Sequence, residues 1–349
     1  MTATELIKDS QKILIAGHLG PDFDAYASLL FTGLTIRENF PEKQVIMLLD
    51  TASPLERISY LRGYNDIVYS PLMDKVNDIQ PDLVILVDGQ KRSRFTDKSE
   101  ELKQYQLSHK SILFDHHPVD ETDFTFHLQK GLWSCVEVVY TQLIKNEGLK
   151  LFNGWEEIFL TGLIGDSLRF YHKIEGYRET FSIVSDILDK GYQIGPISDR
   201  LFGYTREDLI VYSLFSKHVI FEEGFVYAYI TRDEFDKEIA PFVDMSEYRK
   251  AKRDFIDLQL NKVIGCDLSF LVAPDVDAPE NDLFTCSLRS KQNTIDTSVI
   301  AREFPGGGGH VTGSGFSLKA NTIEDAIQQV KEAIKRTEKT SRIQPEPQG

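Results

Sequence analysis

At positions 111–117 the chain reads Ser-Ile-Leu-Phe-Asp-His-His. Its first four residues suit a short strand buried on both faces of a parallel sheet, and an acid and two histidines follow where that strand should end. The same arrangement occurs twice more: His18 to Asp24 follow the apolar run Ile13–Ala16, and Asp88 follows Leu83–Val87. Because ligands bind beyond the carboxyl ends of strands in open α/β sheets, we expect these polar side chains to meet in one crevice.

Carboxylates gathered at one sheet edge would repel one another and raise each other's pKa unless cations neutralise them. A further acid, Asp166, follows the apolar run Leu163-Ile164-Gly165 and is expected at the same edge. Imidazole together with carboxylates suits Mn²⁺, Zn²⁺ or Fe²⁺, and carboxylates with water also suit Mg²⁺. The pattern therefore predicts a centre of two divalent metal ions.

Each segment also has a simpler interpretation. His18 and Asp22 can cap the helix that follows, Asp88 can end a strand in a turn, and residues 115–117 can form a surface loop. Three independent caps or turns have no reason to fall together at strand ends, so the combined pattern favours the metal centre.

Composition limits the classes of function. A length of 349 residues indicates about two domains. The net charge of −15 argues against broad binding to long duplex nucleic acid, but not against a short phosphorylated ligand held at a metal site. No apolar stretch approaches the ~18 residues of a membrane span, and the N-terminus lacks signal-peptide features. The three cysteines are widely spaced and predict no disulfide, so we expect a cytoplasmic protein without a membrane partner.

Strand-like and helix-like segments alternate through the first part of the chain, which predicts an α/β domain over residues 1–185. A fourth strand is expected at Val45–Leu49 and a helix at Ala25–Glu38. Ser134 and Glu137 form a capping-box pattern, and the helix that they begin should end near Gly148.

The pattern changes in the second part of the chain. Gly195-Pro196 and the polar residues around it suggest a linker over 186–214. Alternating apolar and polar residues at Leu283–Arg289 are typical of a half-buried strand, and a second, smaller α/β domain is expected over 215–340. The polar tail 341–349 is expected to be disordered.

A glycine run interrupts the second domain and ends in a histidine. It can be a flexible linker or a backbone nest whose N–H groups bind an anion, and the strand-like sequence on both sides favours the nest. Arg289 lies on the polar face of the preceding strand, where it can bind a phosphate or remain a solvated edge arginine. The predicted substrate-binding residues are Ser287, Arg289, Gly306, Gly307, Gly308, Gly309 and His310.

In order and spacing, these motifs resemble the DHH phosphoesterases, which include RecJ-type exonucleases, family II pyrophosphatases and nano-RNase/pAp phosphatases. The motifs on which this resemblance rests are His18-x-x-x-Asp22-x-Asp24, the isolated Asp88, Asp115-His116-His117 and the later Asp166. Ser287-Leu288-Arg289-Ser290 and the glycine run resemble the DHH-associated domain and favour the nano-RNase/pAp phosphatase subgroup. The resemblance implies a parallel-sheet DHH domain, a smaller α/β DHH-associated domain, an active site in a cleft between them, and a homodimer.

The resemblance also implies a Mn²⁺-dependent phosphoesterase that works by attack of a hydroxide oriented by two metal ions. His18, Asp22 and Asp88 would hold one ion. Asp24, Asp88, His116 and Asp166 would hold the other. His117 would face the scissile phosphate as hydrogen-bond donor or acid, and Asp115 would orient the histidine pair.

The implied activities are hydrolysis of RNA a few residues long and removal of the 3′-phosphate of pAp. Cleavage of pApA, the linear product of cyclic di-AMP, is the alternative. The family usually has glycine where this chain has Phe23 and Ala27, so these residues, with Tyr26, narrow the pocket or offer a stacking face. Phe23 and Tyr26 are also the only support for a third hypothesis, a nucleotide-binding regulator without turnover. Arg92 and Arg94 are interpreted as surface charges.

Overall fold

The structure is a computed structural model that describes residues 2–52, 54–118, 121, 123–171, 177–276, 278, 282–291 and 294–340. The chain forms two compact units, Met1–Gly203 and Tyr204–Gly349. The expected tail, 341–349, lies outside the described residues. In the described part of the chain, no helix is both long enough and apolar enough to span a bilayer. All three cysteines are buried and free of disulfides.

The first unit is built on a six-stranded sheet whose neighbouring strands are all parallel. The strand order is β3-β2-β1-β4-β5-β6. All four strands expected from the apolar runs are present, and two short edge strands extend the sheet. The strands are β1 Lys12–Gly17, β2 Gln44–Leu49, β3 Ile67–Tyr69, β4 Leu83–Val87, β5 Lys110–Asp115 and β6 Phe126–Gln129.

Helices cover both faces of this sheet, so its central strands are buried on both sides. One core lies between the sheet and α2, α5 and α6, and the other between the sheet and α3 and α4. The helices are α1 Ala3–Lys8, α2 Phe23–Asn39, α3 Leu72–Ile79, α4 Ser99–Ser108, α5 Cys135–Val139, α6 Trp155–Asp166, α7 Tyr177–Asp189 and α8 Ile194–Phe202. The predicted α/β fold class is confirmed.

The helix predicted at Ser134 begins where expected. The Glu137 side chain accepts a hydrogen bond from the backbone N–H of Ser134, which completes the capping box. After α5 the helix continues with π geometry over Tyr140–Asn146, and Gly148 follows with a φ of +71°. A positive φ is the usual conformation of a glycine that terminates a helix.

Two expectations about element type and boundaries differ from the structure. Asp166 ends helix α6 and does not follow a strand. Since α6 is apolar and buried on nearly all sides, it lacks the one-sided periodicity that identifies a helix. The segment 186–214, expected as a linker, contains α8, whose Ile197 and Leu201 pack into the core. Pro196 lies in the first turn of α8, where no backbone N–H is required.

The second unit contains a mixed six-stranded sheet of order β11-β12-β10-β9-β8-β7, in which only β8 and β9 run parallel. Helices α12 and α13 pack on one face, and α9 and α11 on the other. The strands are β7 Ile220–Glu222, β8 Phe225–Tyr229, β9 Leu268–Pro274, β10 Leu283–Ser290, β11 Gly308–His310 and β12 Gly313–Lys319. The helices are α9 Arg206–Lys217, α10 Arg232–Glu234, α11 Met245–Leu258, α12 Thr297–Ala301 and α13 Ile323–Thr340.

Close packing of α2 against α6 accommodates the bulky residues of the first motif. A Cβ atom on Gly165 would lie 2.7 Å from Cβ of Phe23. A Cβ atom on Gly162 would lie 2.8 Å from Cβ of Ala27 and 2.7 Å from Oδ1 of Asp24. The glycines of α6 therefore provide the space that Phe23 and Ala27 occupy on α2.

We expect the substitution Gly162→Ala to destabilise the protein by about 1–3 kcal/mol, because an added methyl in a packed core forces its neighbours apart. The gain in helix propensity, up to about 1 kcal/mol, offsets only part of this cost. Gly195→Ala is the matched control, since Gly195 is also helical and has open space at its Cβ position. Urea denaturation measures both variants, and equal stability of the two would contradict the packing argument.

Candidate metal centre

The candidate site lies at the carboxyl ends of two adjacent strands, β1 and β4. His18 directly follows β1, and Asp88 directly follows β4. Strand order reverses direction between β1 and β4, because β2 and β3 extend the sheet on one side and β5 and β6 on the other. At such a switch point the connecting segments diverge and leave a crevice beyond the strand ends. The topology therefore brings the first and second motifs together.

The first group of candidate ligands consists of His18, Asp22 and Asp88. Nε2 of His18 lies 3.5 Å from Oδ2 of Asp88 and 3.9 Å from Oδ1 of Asp22. Asp22 is also the N-cap of α2, where its Oδ1 accepts hydrogen bonds from the backbone N–H groups of Asp24 and Ala25. The capping and metal-binding interpretations of Asp22 are thus compatible.

The second group consists of Asp24, His116 and Asp166. Nε2 of His116 lies 3.3 Å from Oδ2 of Asp166 and 3.5 Å from Oδ1 of Asp88. Asp88 therefore presents one carboxylate oxygen to each histidine, with Oδ2 beside His18 and Oδ1 beside His116. All six predicted metal ligands lie within these two groups and Asp88 is shared between them.

Backbone N–H groups at the start of α5 fix the carboxylate of Asp24. Its Oδ2 accepts a hydrogen bond of 2.5 Å from the N–H of Cys135, and its Oδ1 accepts one of 3.2 Å from that of Val136. Glu137, the capping residue of α5, also accepts a hydrogen bond from Thr180 of α7. The capping-box pattern of Ser134 and Glu137 predicts the start of α5 but not its bonds to Asp24, although a helix N-terminus is a favourable place for a carboxylate.

Asp88 has left-handed backbone geometry, with a φ of +63°. This conformation is uncommon outside glycine, but Asp and Asn adopt it several-fold more often than most residues. Its backbone N–H still donates to Phe114 O of the neighbouring strand at 3.0 Å, so the residue remains anchored to the sheet. Local strain of this kind is found preferentially at functional sites.

Hydrogen bonds of the two histidines indicate which ring nitrogen is available for a metal ion. Nδ1 of His18 lies 2.9 Å from Leu19 O, and Nδ1 of His116 lies 3.2 Å from Leu132 O. Since a carbonyl oxygen can only accept, each Nδ1 carries the proton and each Nε2 is left to face the carboxylates. This is the usual arrangement of metal-binding histidines.

The pKa values show that the site favours positive charge. Burial would lower the pKa of His18, but Asp22 and Asp88 raise it to about 10. Burial would likewise lower the pKa of His116, but Asp88, Asp24 and Asp166 raise it to about 10. Two imidazolium protons therefore stand between the carboxylates, where divalent cations would provide the same compensation.

The pKa values of the carboxylates are shifted in different directions. Burial raises the pKa of Asp166 to about 7, and the charges of Asp22 and Asp88 add to this effect. Burial and the charge of Asp88 also raise the pKa of Asp24. Burial opposes ionisation of Asp88, but hydrogen bonds from His116 and His18 lower its pKa below the usual range. This set of oxygen and imidazole donors, with a shared carboxylate, fits divalent metal ions.

Asp115 and His117 lie beside the two groups. Asp115 is fully buried, and its Oδ1 accepts hydrogen bonds from the backbone N–H groups of His116 and His117. Oδ1 also lies 3.0 Å from Nδ1 of His117, whose side chain is half exposed. These two residues also form a possible ligand group with Asp88 and His116, but the hydrogen bonds to Oδ1 suit an orienting role for Asp115.

The two aromatic residues of the first motif, Tyr26 and Phe23, are not equivalent. Tyr26 is fully buried and its hydroxyl oxygen accepts a hydrogen bond from the N–H of Leu55, so it offers no stacking face. Phe23 is partly buried and packs edge-on against Phe202 of α8, with ring centroids 6.1 Å apart. The expectation of a stacking face is therefore wrong for Tyr26.

The predicted substrate-binding residues of the second unit lie on or next to β10 and β11. Residues 308–310 form strand β11, which pairs with β12, so this part of the glycine run is not a flexible linker. Arg289, Gly313 and His310 lie side by side across three strands, as do Ser287, Gly315 and Gly308. Residues in such rows point to the same face, which therefore has a glycine floor bordered by polar side chains.

Backbone geometry explains why the run consists of glycine. Gly306 and Gly309 have φ values of +69° and +141°. A Cβ atom on Gly307 would lie 1.9 Å from Ala301 O. Arg289 is not free: its Nε and Nη2 donate to Asp257 of α11 at 2.5 and 3.3 Å, and its Nη1 donates to Leu288 O. Of the five N–H donors of its guanidinium, these bonds use three.

Comparison with known proteins agrees with this architecture. A protein from Streptococcus mutans described as "Probable bifunctional oligoribonuclease and PAP phosphatase NrnA" is 27% identical over 344 residues, 94% of this chain and 97% of that protein. The "Bifunctional oligoribonuclease and PAP phosphatase NrnA" of Bacillus subtilis is 25% identical over 334 residues, covering 93% and 96%.

A solved structure has a similar fold over most of the chain. It is an exopolyphosphatase-related protein from Bacteroides fragilis, with a TM-score of 0.75 and 20% identity over 95% of this chain and 94% of that one. Residues 12–163, which contain the first three motifs and most of α6, match the family described as "DHH family, N-terminal domain". Over these residues the chain is therefore similar to the N-terminal domain of the DHH family.

Proposed function

We propose that the protein is a phosphoesterase that uses two divalent metal ions to hydrolyse short nucleotides, namely oligoribonucleotides a few residues long and pAp. One observation carries the proposal: the carboxylate of Asp88 lies between two groups of candidate ligands. The first group contains His18 and Asp22, and the second contains Asp24, His116 and Asp166. Two adjacent cations are the arrangement that stabilises both the attacking and the leaving oxygen in phosphoryl transfer.

The proposed roles of the residues follow from their positions. Bound divalent ions would supply Lewis acidity, which activates water and neutralises the phosphoryl oxygens. His117 has its Nδ1 beside Asp115, so in the imidazolium form its Nε2–H would be left to donate to a phosphate oxygen or to protonate the leaving oxygen. Asp115 would hold the ring in that orientation.

The names of the two relatives support the substrate class, since both describe an oligoribonuclease and a PAP phosphatase. The net charge of −15 supports a short substrate over a long duplex. We propose that the glycine-floored face of the second unit, with Ser287, Arg289 and His310, binds the nucleotide. Because Arg289 already pairs with Asp257, it would contribute its remaining N–H donors.

We propose Mn²⁺ as the metal, because mixed imidazole and carboxylate ligands suit it better than Mg²⁺. Cleavage of pApA remains the alternative activity and uses the same centre. A cytoplasmic location and a homodimer stay predictions of the sequence.

The test is a turnover assay with Mn²⁺ and three substrates: a short RNA, pAp and pApA. We expect many turnovers on the short RNA and pAp, and a loss of more than about 100-fold in the variant Asp88→Asn. Even residues that only support metal ligands typically contribute 10–100-fold, and Asp88 serves both groups.

Asparagine tolerates the left-handed backbone of position 88, so Asp88→Asn should fold normally by circular dichroism. Asp189→Asn is the matched control, since Asp189 is exposed at the end of α7 and should leave turnover unchanged. Binding of the nucleotides without their conversion by the wild type would refute the enzyme and support a regulator. Exclusive cleavage of pApA would support the alternative.

Metal binding should release protons. At pH 7 the raised pKa values keep His18 and His116 protonated and Asp166 partly protonated, and these protons must leave when the ligands bind a cation. From these three groups we expect release of about two to three protons per protein at saturation with Mn²⁺, and an affinity that falls as the pH is lowered. Calorimetry in buffers of different ionisation enthalpy measures this release, and identical heats in all buffers would contradict the assignment.

A further inference from the structure

Arg94 lies next to the metal centre. It ends the 3₁₀ turn Arg92–Arg94 that follows Asp88, and its Nη2 lies 3.3 Å from Nδ1 of His18. Its side chain is exposed, and it forms no ion pair with any carboxylate in the described part of the chain. Arg94 is therefore exposed, as expected of a surface charge, but it also lies beside a candidate metal ligand.

The neighbouring Arg92 is different. It is buried, its Nη1 donates to Glu121 and Asp123 at 2.6 and 2.9 Å, and its Nε donates to Gln106. Its charge is therefore neutralised inside the protein, and the expectation of a surface charge is wrong for it. Of the two arginines, only Arg94 retains a guanidinium that can receive a ligand.

His18 cannot satisfy Arg94. Nδ1 of His18 donates its proton to Leu19 O at 2.9 Å, and its Nε2 faces Asp22 and Asp88. A ring nitrogen that donates a hydrogen bond cannot at the same time accept one from a guanidinium. Arg94 therefore holds a positive charge beside the centre without a matched acceptor in His18, and an anion would complete its hydrogen bonding.

The backbone holds Arg94 in this place. Its carbonyl oxygen accepts a hydrogen bond of 2.6 Å from the N–H of Leu19, and its own N–H donates to Lys91 O at 3.0 Å. Gly89 permits the turn to pack closely, since a Cβ atom there would lie 2.7 Å from the ring of Phe95 and 3.3 Å from Cβ of Arg94. The turn thus links Arg94 to both His18 and Asp88.

We propose that Arg94 is a substrate-binding residue that hydrogen-bonds a phosphate oxygen of the nucleotide on the His18 side of the centre. This inference deepens the proposed function and rests on it for the identity of the substrate. The chemistry recognised is a phosphate group, which both the nucleotides and orthophosphate carry.

The test compares Arg94→Ala and Arg94→Lys with the wild type. Calorimetry with the Mn²⁺-saturated protein measures the affinity for orthophosphate, and steady-state kinetics measures KM and kcat for pAp. We expect Arg94→Ala to weaken orthophosphate binding and raise KM by about 10- to 100-fold, as loss of a hydrogen bond to a charged group does. Arg94→Lys should recover part of the affinity, because lysine keeps the charge but not the fork of donors.

Lys91→Ala is the matched control, since it removes one positive charge from the start of the same turn and should change neither quantity. Unchanged orthophosphate affinity and KM in Arg94→Ala would overturn the inference. A change confined to Mn²⁺ affinity would also overturn it, because it would indicate that Arg94 only positions His18. Absence of orthophosphate binding by the wild type would also overturn it. If the wild type turns over no nucleotide but binds orthophosphate, and Arg94→Ala loses that binding, the proposed function fails and the inference stands.

Discussion

The shared carboxylate of Asp88 is the constraint on which the site depends. Its two oxygens lie beside Nε2 of His18 and of His116, so a single side chain connects two groups of charged residues. Burying carboxylates at this density is unfavourable unless positive charge lies between them. The sheet imposes the arrangement, since Asp88 is held in a left-handed conformation at the end of β4 while its N–H remains bonded to β5. The fold thus keeps the negative charges together, and positive charge, from imidazolium groups or from bound cations, compensates them.

The site also depends on the contact between α2 and α6. These helices carry Asp22, Asp24 and Asp166, and they approach closely because Gly162 and Gly165 leave room for Ala27 and Phe23. The larger residues of the first motif therefore pack against the glycines of α6 and do not displace the ligands. This explains how the chain carries Phe23 and Ala27 in its first motif and still brings all six candidate ligands together.

Much of this could be predicted from the sequence, for a physical reason. The central strands are buried on both faces and appear as continuous apolar runs, so their ends, and the polar residues that follow, are easily located. Helix α6 was missed because it is buried on nearly all sides and shows no periodicity. Arg92 was misjudged because its partners Glu121 and Asp123 are about thirty residues away, and sequence alone does not reveal such long-range ion pairs.

Support for Asp24 extends beyond the centre itself. Its carboxylate is held by the first N–H groups of α5, the start of α5 is capped by Glu137, and Glu137 is held in turn by Thr180 of α7. A residue fourteen positions after the last ligand thus belongs to the same chain of hydrogen bonds. Random mutagenesis screened for inactive but well-expressed protein should therefore recover substitutions in α7 as well as in the motifs, and a search restricted to motif residues would overlook them.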